Sequence, residues 1–434
     1  MKTPPDDVVR EILLLLDDVV TLFRCAATCK RWRRLIAEPS FLVRRRWPPS
    51  LVGFFTQRWL VTTFPGSSPT DSSSQLAFVP SSSSPSLFGP GRRPLTSLVP
   101  NADAPAVDRA VPLATRDGLL LVRLYPCDDD LEPNVVRLAV CDTLAGRWDV
   151  LPELDCDSQF CYSDTYGYAI IPSSSGGDDR PAFRVLLIGA DKYESETESQ
   201  FNVHRFASSD RSWSAPRKCF DMMERHVWSM KEENAVVCRG NAHWLFVRAS
   251  NHFHVLNVDV ETGHVSLTKI LRPTREKFIP AADFDLLHVD HATALANIRR
   301  SLRDIPGADR LATTADGTLL SLSVYHDRRL EIWTQQQGDG DRSGDGDAEW
   351  LRTRVIDHKL TELIQQIEWW SCIWSGERSG TLLIKDYDGG GMYTAHLDAG
   401  ILEKVTHQIR DCNVIVPMEI NWTTFFMTRL EAPY

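Results

Sequence analysis

The first part of the chain carries apolar residues at the spacing of an α-helix. Intervals of one, three and four residues place the following along one side of a helix: Val8, Val9, Ile12, Leu13 and Leu16. Asp6 and Asp7 stand just before this run, where an N-cap and a first-turn acid belong. Asp17 and Asp18 end it and are placed to cap a second helix. The pattern therefore predicts short helices at the start of the chain.

A second run has the same period and contains Leu22, Cys25, Cys29, Trp32 and Ile36. Basic side chains occupy the rest of its circumference, and Glu38-Pro39-Ser40 ends it. We predict three short helices in residues 1–46. Because so short a chain seldom buries a core of its own, its leftover apolar surface is expected to need a second protein.

Beyond residue 106 the pattern changes to short apolar strands, each introduced by a turn. The turns that feed these strands are Asp117-Gly118, Gly240-Asn241, Asp316-Gly317 and Ser379-Gly380. Two second strands end at equivalent tryptophans, Trp148 and Trp213, which are 65 residues apart and are expected to be buried between sheets. The remaining length accommodates about six such units. We predict a mainly β fold, a β-propeller of about six blades; two stacked antiparallel sheets are the alternative.

The predicted domains are therefore a helical unit at 1–46 and a propeller at 47–434. Strands just after the helices are expected to close the propeller with Asn413–Pro417 or Phe425–Leu430. A Ser/Pro-rich segment at 66–106 is predicted to be a mobile loop, and an acidic Gly/Asp segment at 338–349 a flexible insertion. Two further segments have helical patterns, Phe220–Asn234 and Lys359–Ile367.

The N-terminal residues resemble the F-box, in the form common in large plant families. The resemblance rests on the Pro-acid-acid opening at Pro5, the Ile-Leu run, the Cys29-Lys30-Arg31-Trp32 core and Pro39-Ser40-Phe41. It implies docking to the Skp adaptor of a Skp-cullin-F-box ubiquitin ligase. Carried over by position, the resemblance implies eight residues that make or support the adaptor contact: Pro5, Val9, Ile12, Leu13, Leu16, Leu22, Cys29 and Trp32. The family usually opens Leu-Pro, and the absence of that leucine from Thr3-Pro4-Pro5 implies weaker docking.

The later strands resemble the F-box-associated propeller domains of plants, through the phrases CDTLAGRW, HRFASSDRSWSAP and LNVDVETGHVSL. This second resemblance is less specific than the first. It implies that the propeller holds a target protein while the F-box holds the adaptor.

Charge and cysteine usage narrow the classes of partner. The net charge is −10, yet residues 1–50 hold 10 Lys and Arg against 6 Asp and Glu. The excess of negative charge therefore lies in the rest of the chain. An acidic remainder argues against nucleic acid as the main ligand, because phosphate binding needs clustered positive charge. The ten cysteines include no C-x-x-C pair. We expect free thiols in the cytoplasm or nucleus, with no signal peptide and no membrane span.

Motifs for catalysis and metal binding are weak in this sequence. It has no G-x-S-x-G, Walker or H-E-x-x-H motif. His252 and His254 would share a strand face but have no third ligand to complete a metal site. The run Gly338–Asp347 matches several EF-hand positions, but Trp350 stands where the bidentate Glu belongs. No catalytic residue, metal site or cofactor is predicted.

The sequence thus predicts a non-catalytic substrate-recognition subunit of a Skp-cullin-F-box ligase, binding a Skp-type adaptor, cullin through it, and an unidentified protein substrate. Two alternatives stay open. One is a scaffold that uses the same adaptor without degradation of its target. The other is a propeller hydrolase or lyase.

Overall fold

The computed structural model is mainly β, with few helices and a six-blade propeller arrangement. The residues that it describes are 4–16, 18–44, 49–57, 75–81, 88–89, 91–103, 106–107, 110–125, 135–155, 167–173, 182–192, 199–221, 229–230, 234–247, 253–271, 306–313, 318–325, 330–335, 348–356, 370–386, 391–396, 401–405, 409, 412, 414–423 and 425–426.

The helical N-terminus has four helices where the sequence predicted three. They are α1 (Asp6–Leu14), α2 (Val19–Thr28), α3 (Lys30–Ala37) and α4 (Pro39–Arg44). Asp18 caps α2 as expected, since its carboxylate accepts hydrogen bonds from the Thr21 amide at 2.9 Å and hydroxyl at 2.6 Å. Pro5 is the N-cap of α1, which leaves Asp6 and Asp7 as first-turn acids. Pro39 ends α3 but also begins α4, because proline is well suited to a first helical turn.

The first sheet joins the two ends of the β region. Its strands are β1 (Ser50–Gln57), β2 (Ala77–Pro80), β3 (Arg93–Pro94) and β28 (Val414–Ile420). β1 pairs antiparallel with β28 from Ser50 opposite Ile420 to Gln57 opposite Val414, with a register shift between Leu51 and Gly53. β28 contains residues 414–417 of the predicted closing segment Asn413–Pro417, which confirms that alternative. Phe425, in the other predicted segment, lies in helical backbone.

The second and third sheets are antiparallel meanders. The second consists of β4 (Val111–Arg116), β5 (Leu119–Arg123), β7 (Leu138–Asp142) and β8 (Arg147–Val150). The third consists of β10 (Gly167–Ser173), β11 (Ala182–Lys192), β12 (Ser199–Ala207), β13 (Ser212–Trp213) and β14 (Arg217–Asp221), and both β13 and β14 pair with β12. A separate two-stranded sheet pairs β6 (Val135–Val136) with β9 (Leu154–Asp155). The expected turn and strand order is confirmed here.

The fourth, fifth and sixth sheets repeat the same meander. The fourth consists of β15 (Ser229–Met230), β16 (Val236–Cys238), β17 (Asn241–Val247), β18 (Phe253–Asp259) and β19 (Val265–Leu271). The fifth consists of β20 (Pro306–Thr313), β21 (Leu319–Tyr325), β22 (Leu330–Gln335) and β23 (Ala348–Ile356). A two-residue parallel pairing joins β19 to β23. The sixth consists of β24 (Trp370–Ser375), β25 (Thr381–Asp386), β26 (Met392–His396) and β27 (Ile401–Lys404).

The chain forms two compact units. The first contains residues 1–225, 233–235 and 406–434, hence the helices and the first three sheets. Its largest core is one apolar cluster that includes Leu13 of α1, Phe55 of β1 and Phe426. The second unit contains residues 226–232 and 236–405, with Leu245 and Trp350 in one of its cores. Trp148 and Trp213 are half-buried and pack against two different cores of the first unit.

Two sequence predictions were wrong in the residues that the structure describes. Part of the segment 66–106 is ordered structure, because it contains β2, β3 and the short helix α5 (Leu95–Leu98). The apolar run Leu76–Val79 is buried, which the surrounding serines concealed. The predicted helix Phe220–Asn234 instead overlaps β14 and β15. Residues 359–367 and 338–347 lie outside the described residues, and Ala348 and Glu349 begin β23.

Replacing Gly53 with alanine should destabilise the first sheet. A Cβ at Gly53 would lie 2.4 Å from the Val79 carbonyl oxygen, which is backbone and cannot rotate away. We expect a loss of about 1–3 kcal/mol, measured by urea denaturation. Gly391→Ala is the matched control, because its Cβ would meet the movable Tyr393 ring at 2.8 Å. Equal stability losses in both variants would contradict the packing described for β1 and β2.

Candidate functional site

The apolar residues of α1 are divided between two faces of the helix. At about 100° per residue, the five residues of the apolar pattern from Val8 to Leu16 cover an arc of about 140°, and Leu15 widens it to about 160°. Val9 and Leu13 are buried in the large core of the first unit, and Leu16 packs against it. Val8 and Ile12 are exposed, as is Leu15 directly after the helix. The sequence pattern placed one apolar side on α1, but only half of that arc is covered by this chain.

The exposed half forms a continuous stripe, which we call the α1 stripe and define as Pro5, Val8, Ile12 and Leu15. Val8 is 45% exposed, Ile12 54% and Leu15 78%. Their spacing of three and four residues brings neighbouring side chains together along the helix. Exposed aliphatic residues in one row on one helix are suited to contact another protein. Val8 and Leu15 were missed as candidate contacts, although Val8 already stood in the apolar pattern.

Several of the residues predicted to make or support the adaptor contact lie inside the N-terminal core. Val9 is 4% exposed, Leu13 2% and Leu22 0%, so their side chains support the position of the helices. Leu16 and Trp32 are half-buried against the same core. Pro5, Ile12 and Cys29 are exposed. Direct adaptor contact by any of the eight residues stays a prediction.

Ion pairs connect α1 to the helices that follow it. Asp6 pairs with Arg31 at 2.6 Å and with Arg34 at 3.2 Å, both on α3. Arg10 pairs with Glu38, the C-cap of α3. Individually such exposed pairs add little stability. Because the three pairs start from two successive turns of α1, at Asp6 and Arg10, together they restrict how the helix can rotate. The rotation of α1 decides which half of its apolar arc faces outward.

Two further contacts order the end of α2 and the start of α3. The Cys29 sulfur accepts a hydrogen bond from the Trp32 amide at 3.4 Å, so Cys29 is the N-cap residue. The Thr28 hydroxyl donates to the Cys25 carbonyl at 2.6 Å. Burial raises the pKa of the Cys25 thiol, which favours its neutral form. Cys29 thus has a structural role in addition to the adaptor contact predicted for it.

Side-chain hydrogen bonds connect three strands of the fourth sheet. In the fourth sheet, His243 Nδ1 lies 2.7 Å from the Asn257 side-chain oxygen, and the Asn257 amide donates to Thr268 at 2.9 Å. Burial lowers the pKa of His243, which keeps the ring neutral. In the part of the chain that the structure describes, no group of three His, Cys, Asp or Glu residues is placed to hold a metal. His252 lies outside that part.

No helix among the described residues is long and apolar enough to cross a membrane.

Two family models match the chain. The model described as F-box-like matches residues 5–47, the region of α1 to α4. The model described as Domain of unknown function (DUF7595) matches residues 90–407, which is more than half of the chain. No curated protein sequence matches the chain.

Solved structures resemble the chain only distantly. The α-L-arabinofuranosidase Arb93A from Fusarium graminearum is 12% identical with a TM-score of 0.34, and covers 70% of this chain and 82% of its own. A chain of a nidogen/laminin complex is 10% identical with a TM-score of 0.37, and covers 85% and 98%. The fucose-specific lectin from Aleuria aurantia is 10% identical with a TM-score of 0.34, and covers 69% and 78%. These similarities are too low to carry any argument about function.

Removing the Arg31 side chain should raise the pKa of Asp6. The hydrogen bond from Arg31 is the main cause that lowers this pKa below 3.8. A carboxyl whose pKa is lower in the folded state stabilises the fold at pH values above its unfolded-state pKa. This stabilisation is lost as the pH falls through the folded-state pKa. In Arg31→Ala the pKa should return towards 3.8, as measured by NMR titration of the Asp6 carboxyl carbon.

Arg34→Ala is the control, because Arg34 is farther from Asp6 and should have a smaller effect. If Arg34→Ala raised the pKa of Asp6 more than Arg31→Ala did, the ion-pair geometry described for α1 and α3 would be wrong.

Proposed function

The chain belongs to the family of the domain of unknown function DUF7595 and begins with an F-box-like domain, and from this we propose that it is a substrate-recognition subunit of a Skp-cullin-F-box ubiquitin ligase. An F-box-like domain joined to a β-propeller suggests an F-box substrate-recognition protein. In the proposed assembly, the N-terminal helices bind a Skp-type adaptor, and cullin is reached through that adaptor. The propeller binds a target protein, in the cytoplasm or nucleus.

The observation that supports this proposal best is the α1 stripe within the F-box-like region. Val8, Ile12 and Leu15 are exposed although the neighbouring Val9 and Leu13 are buried. Solvent exposure of three aliphatic side chains in one row offers apolar area that a partner can remove from water. An adaptor that covers this row would gain that burial without unfolding any part of the helical core.

The stripe also provides a replacement for the leucine that is missing from the opening. Pro4 and Pro5 occupy the positions before α1, and Pro5 is exposed. Leu15, directly after the other end of α1, is 78% exposed. We propose that apolar contact is shifted from the start of α1 towards its end.

No bond chemistry is assigned to the chain itself. Its proposed contribution is to bring a target close to the ligase, which raises the effective concentration of the target there. Val9, Leu13 and Leu22 act in this scheme by positioning α1, and Pro5, Ile12, Leu16, Cys29 and Trp32 are the proposed contacts. The domain limits 1–46 and 47–434 remain part of this proposal.

Replacing Ile12 with glutamine should weaken adaptor binding without loss of stability. Ile12 is 54% exposed, and glutamine keeps the helix propensity while it adds a polar group to the stripe. We expect affinity for a purified Skp adaptor to fall by at least about tenfold. The unfolding free energy should change by no more than about 0.5 kcal/mol. Calorimetric titration and urea denaturation measure these two quantities.

Val150→Gln is the matched control, since Val150 is 61% exposed but lies on β8 of the second sheet. It should leave adaptor affinity unchanged. Equal loss of binding in both variants, or full binding by Ile12→Gln, would contradict docking through the α1 stripe. If the adaptor binds and cullin joins but target levels do not respond to proteasome inhibition, the chain is a non-degradative scaffold.

A further inference from the structure

The aromatic residues after the closing strand lie in the same core as the N-terminal helices. We define Trp422, Phe425 and Phe426 as the aromatic clasp. The Phe425 ring lies 6.0 Å from Trp422 and 5.8 Å from Phe426, between ring centroids. All three side chains are almost fully buried. Such a cluster stabilises the fold more than aliphatic side chains of the same number would, because each ring removes a large apolar area from water.

One contact links the clasp directly to α2. The centroids of Phe425 and Phe23 are 5.8 Å apart, with the rings tilted by 51°. Eight buried residues of α1 to α4 belong to the same cluster as the clasp: Val9, Leu13, Leu22, Ala26, Leu35, Ile36, Phe41 and Leu42. The helices and the clasp therefore exclude water from one shared core, although almost the whole chain separates them in sequence.

The clasp is also fastened to the first and second sheets. The Trp422 indole donates to the Ser50 hydroxyl at 2.8 Å, at the start of β1. The backbone N–H of Asn421 donates to the carboxylate of Asp117, in the turn between β4 and β5, at 3.0 Å. Each of these bonds spans about three hundred or more residues of sequence. Trp422 thus joins the clasp to the first sheet, and Asn421, between β28 and the clasp, is bonded to the second sheet.

We infer that the aromatic clasp positions the F-box-like helices, so that these helices and the closing strand β28 order and unfold together as one cooperative unit. A contiguous core shared by two segments makes the local opening of either segment expose the other. The clasp follows every strand of the six sheets in sequence. The arrangement of α1 to α4 is therefore completed only after the propeller has been synthesised and closed.

Loss of the clasp would also change the surface of α1. A chain that lacks residues 421–434 retains all residues of the α1 stripe but loses part of the core beneath the helices. Such a chain would not hold Val9 and Leu13 inward and Ile12 outward. Incomplete chains would therefore not present an ordered stripe. This consequence concerns folding within one chain and does not depend on which partner binds the stripe.

Hydrogen exchange of backbone amides in the full-length chain tests the inference without any partner. Phe425→Ala and, separately, Phe23→Ala should speed exchange by at least about tenfold both in α1 to α3 and in β28. Strands β11 and β12 of the third sheet should exchange as before. Phe425→Leu retains most of the side-chain volume and should show the same pattern with smaller changes in exchange rate. This variant replaces Phe425→Ala in the experiment if the alanine variant does not fold.

Phe206→Ala is the matched control. Phe206 is a buried ring in a separate core of the same unit, where it lies 5.5 Å from Trp213. This variant should speed exchange in the third sheet and leave the helices unchanged. The inference is overturned if Phe425→Ala speeds exchange in β28 but not in the helices, if Phe23→Ala leaves β28 unchanged, or if Phe206→Ala affects the helices as much as Phe425→Ala does.

Discussion

The first unit depends on how the apolar arc of α1 is divided, because one half packs in the core of the unit and the other half is exposed to solvent. Val9 and Leu13 enter a core that also contains Phe55 of β1 and the aromatic clasp. Val8, Ile12 and Leu15 remain outside it. Burial of these three aliphatic side chains against a second surface would lower the free energy, because it would remove their apolar area from water. The division of the arc thus separates a buried face, which holds the helices together, from an exposed face, which is the proposed docking surface.

Ring closure supplies the inner partner of those helices. β28 pairs with β1 over its whole length, and Trp422 donates to Ser50 at the start of β1. Since the clasp lies immediately after β28, the strand that completes the first sheet also delivers the aromatic residues that the helices pack against. Ion pairs from Asp6 and Arg10 then restrict the rotation of α1. The F-box-like region is consequently part of the first unit's core and not an appendage on a linker.

Much of the architecture was predictable because it depends on local patterns. The Gly turns with following apolar strands indicated blades, and the number of residues indicated six. Three features escaped for physical reasons. Serines on both sides of Leu76–Val79 masked a buried strand, since composition averaged over forty residues hides a run of four. The helical spacing at Phe220–Asn234 predicted a helix, but described residues of this segment pair as strands in β14 and β15. The outward direction of Val8 and Ile12 depends on the clasp, which no pattern near α1 reveals.

The central claim is that a Skp-type adaptor covers the exposed half of the α1 arc. The most direct measurement is the hydrogen-exchange footprint of the adaptor on the full-length chain, compared with the chain alone. The account predicts new protection centred on α1, from Asp6 to Leu15, while β11 and β12 of the third sheet are unchanged. Protection that appears only on the propeller, with α1 exchanging as in the free chain, would contradict it.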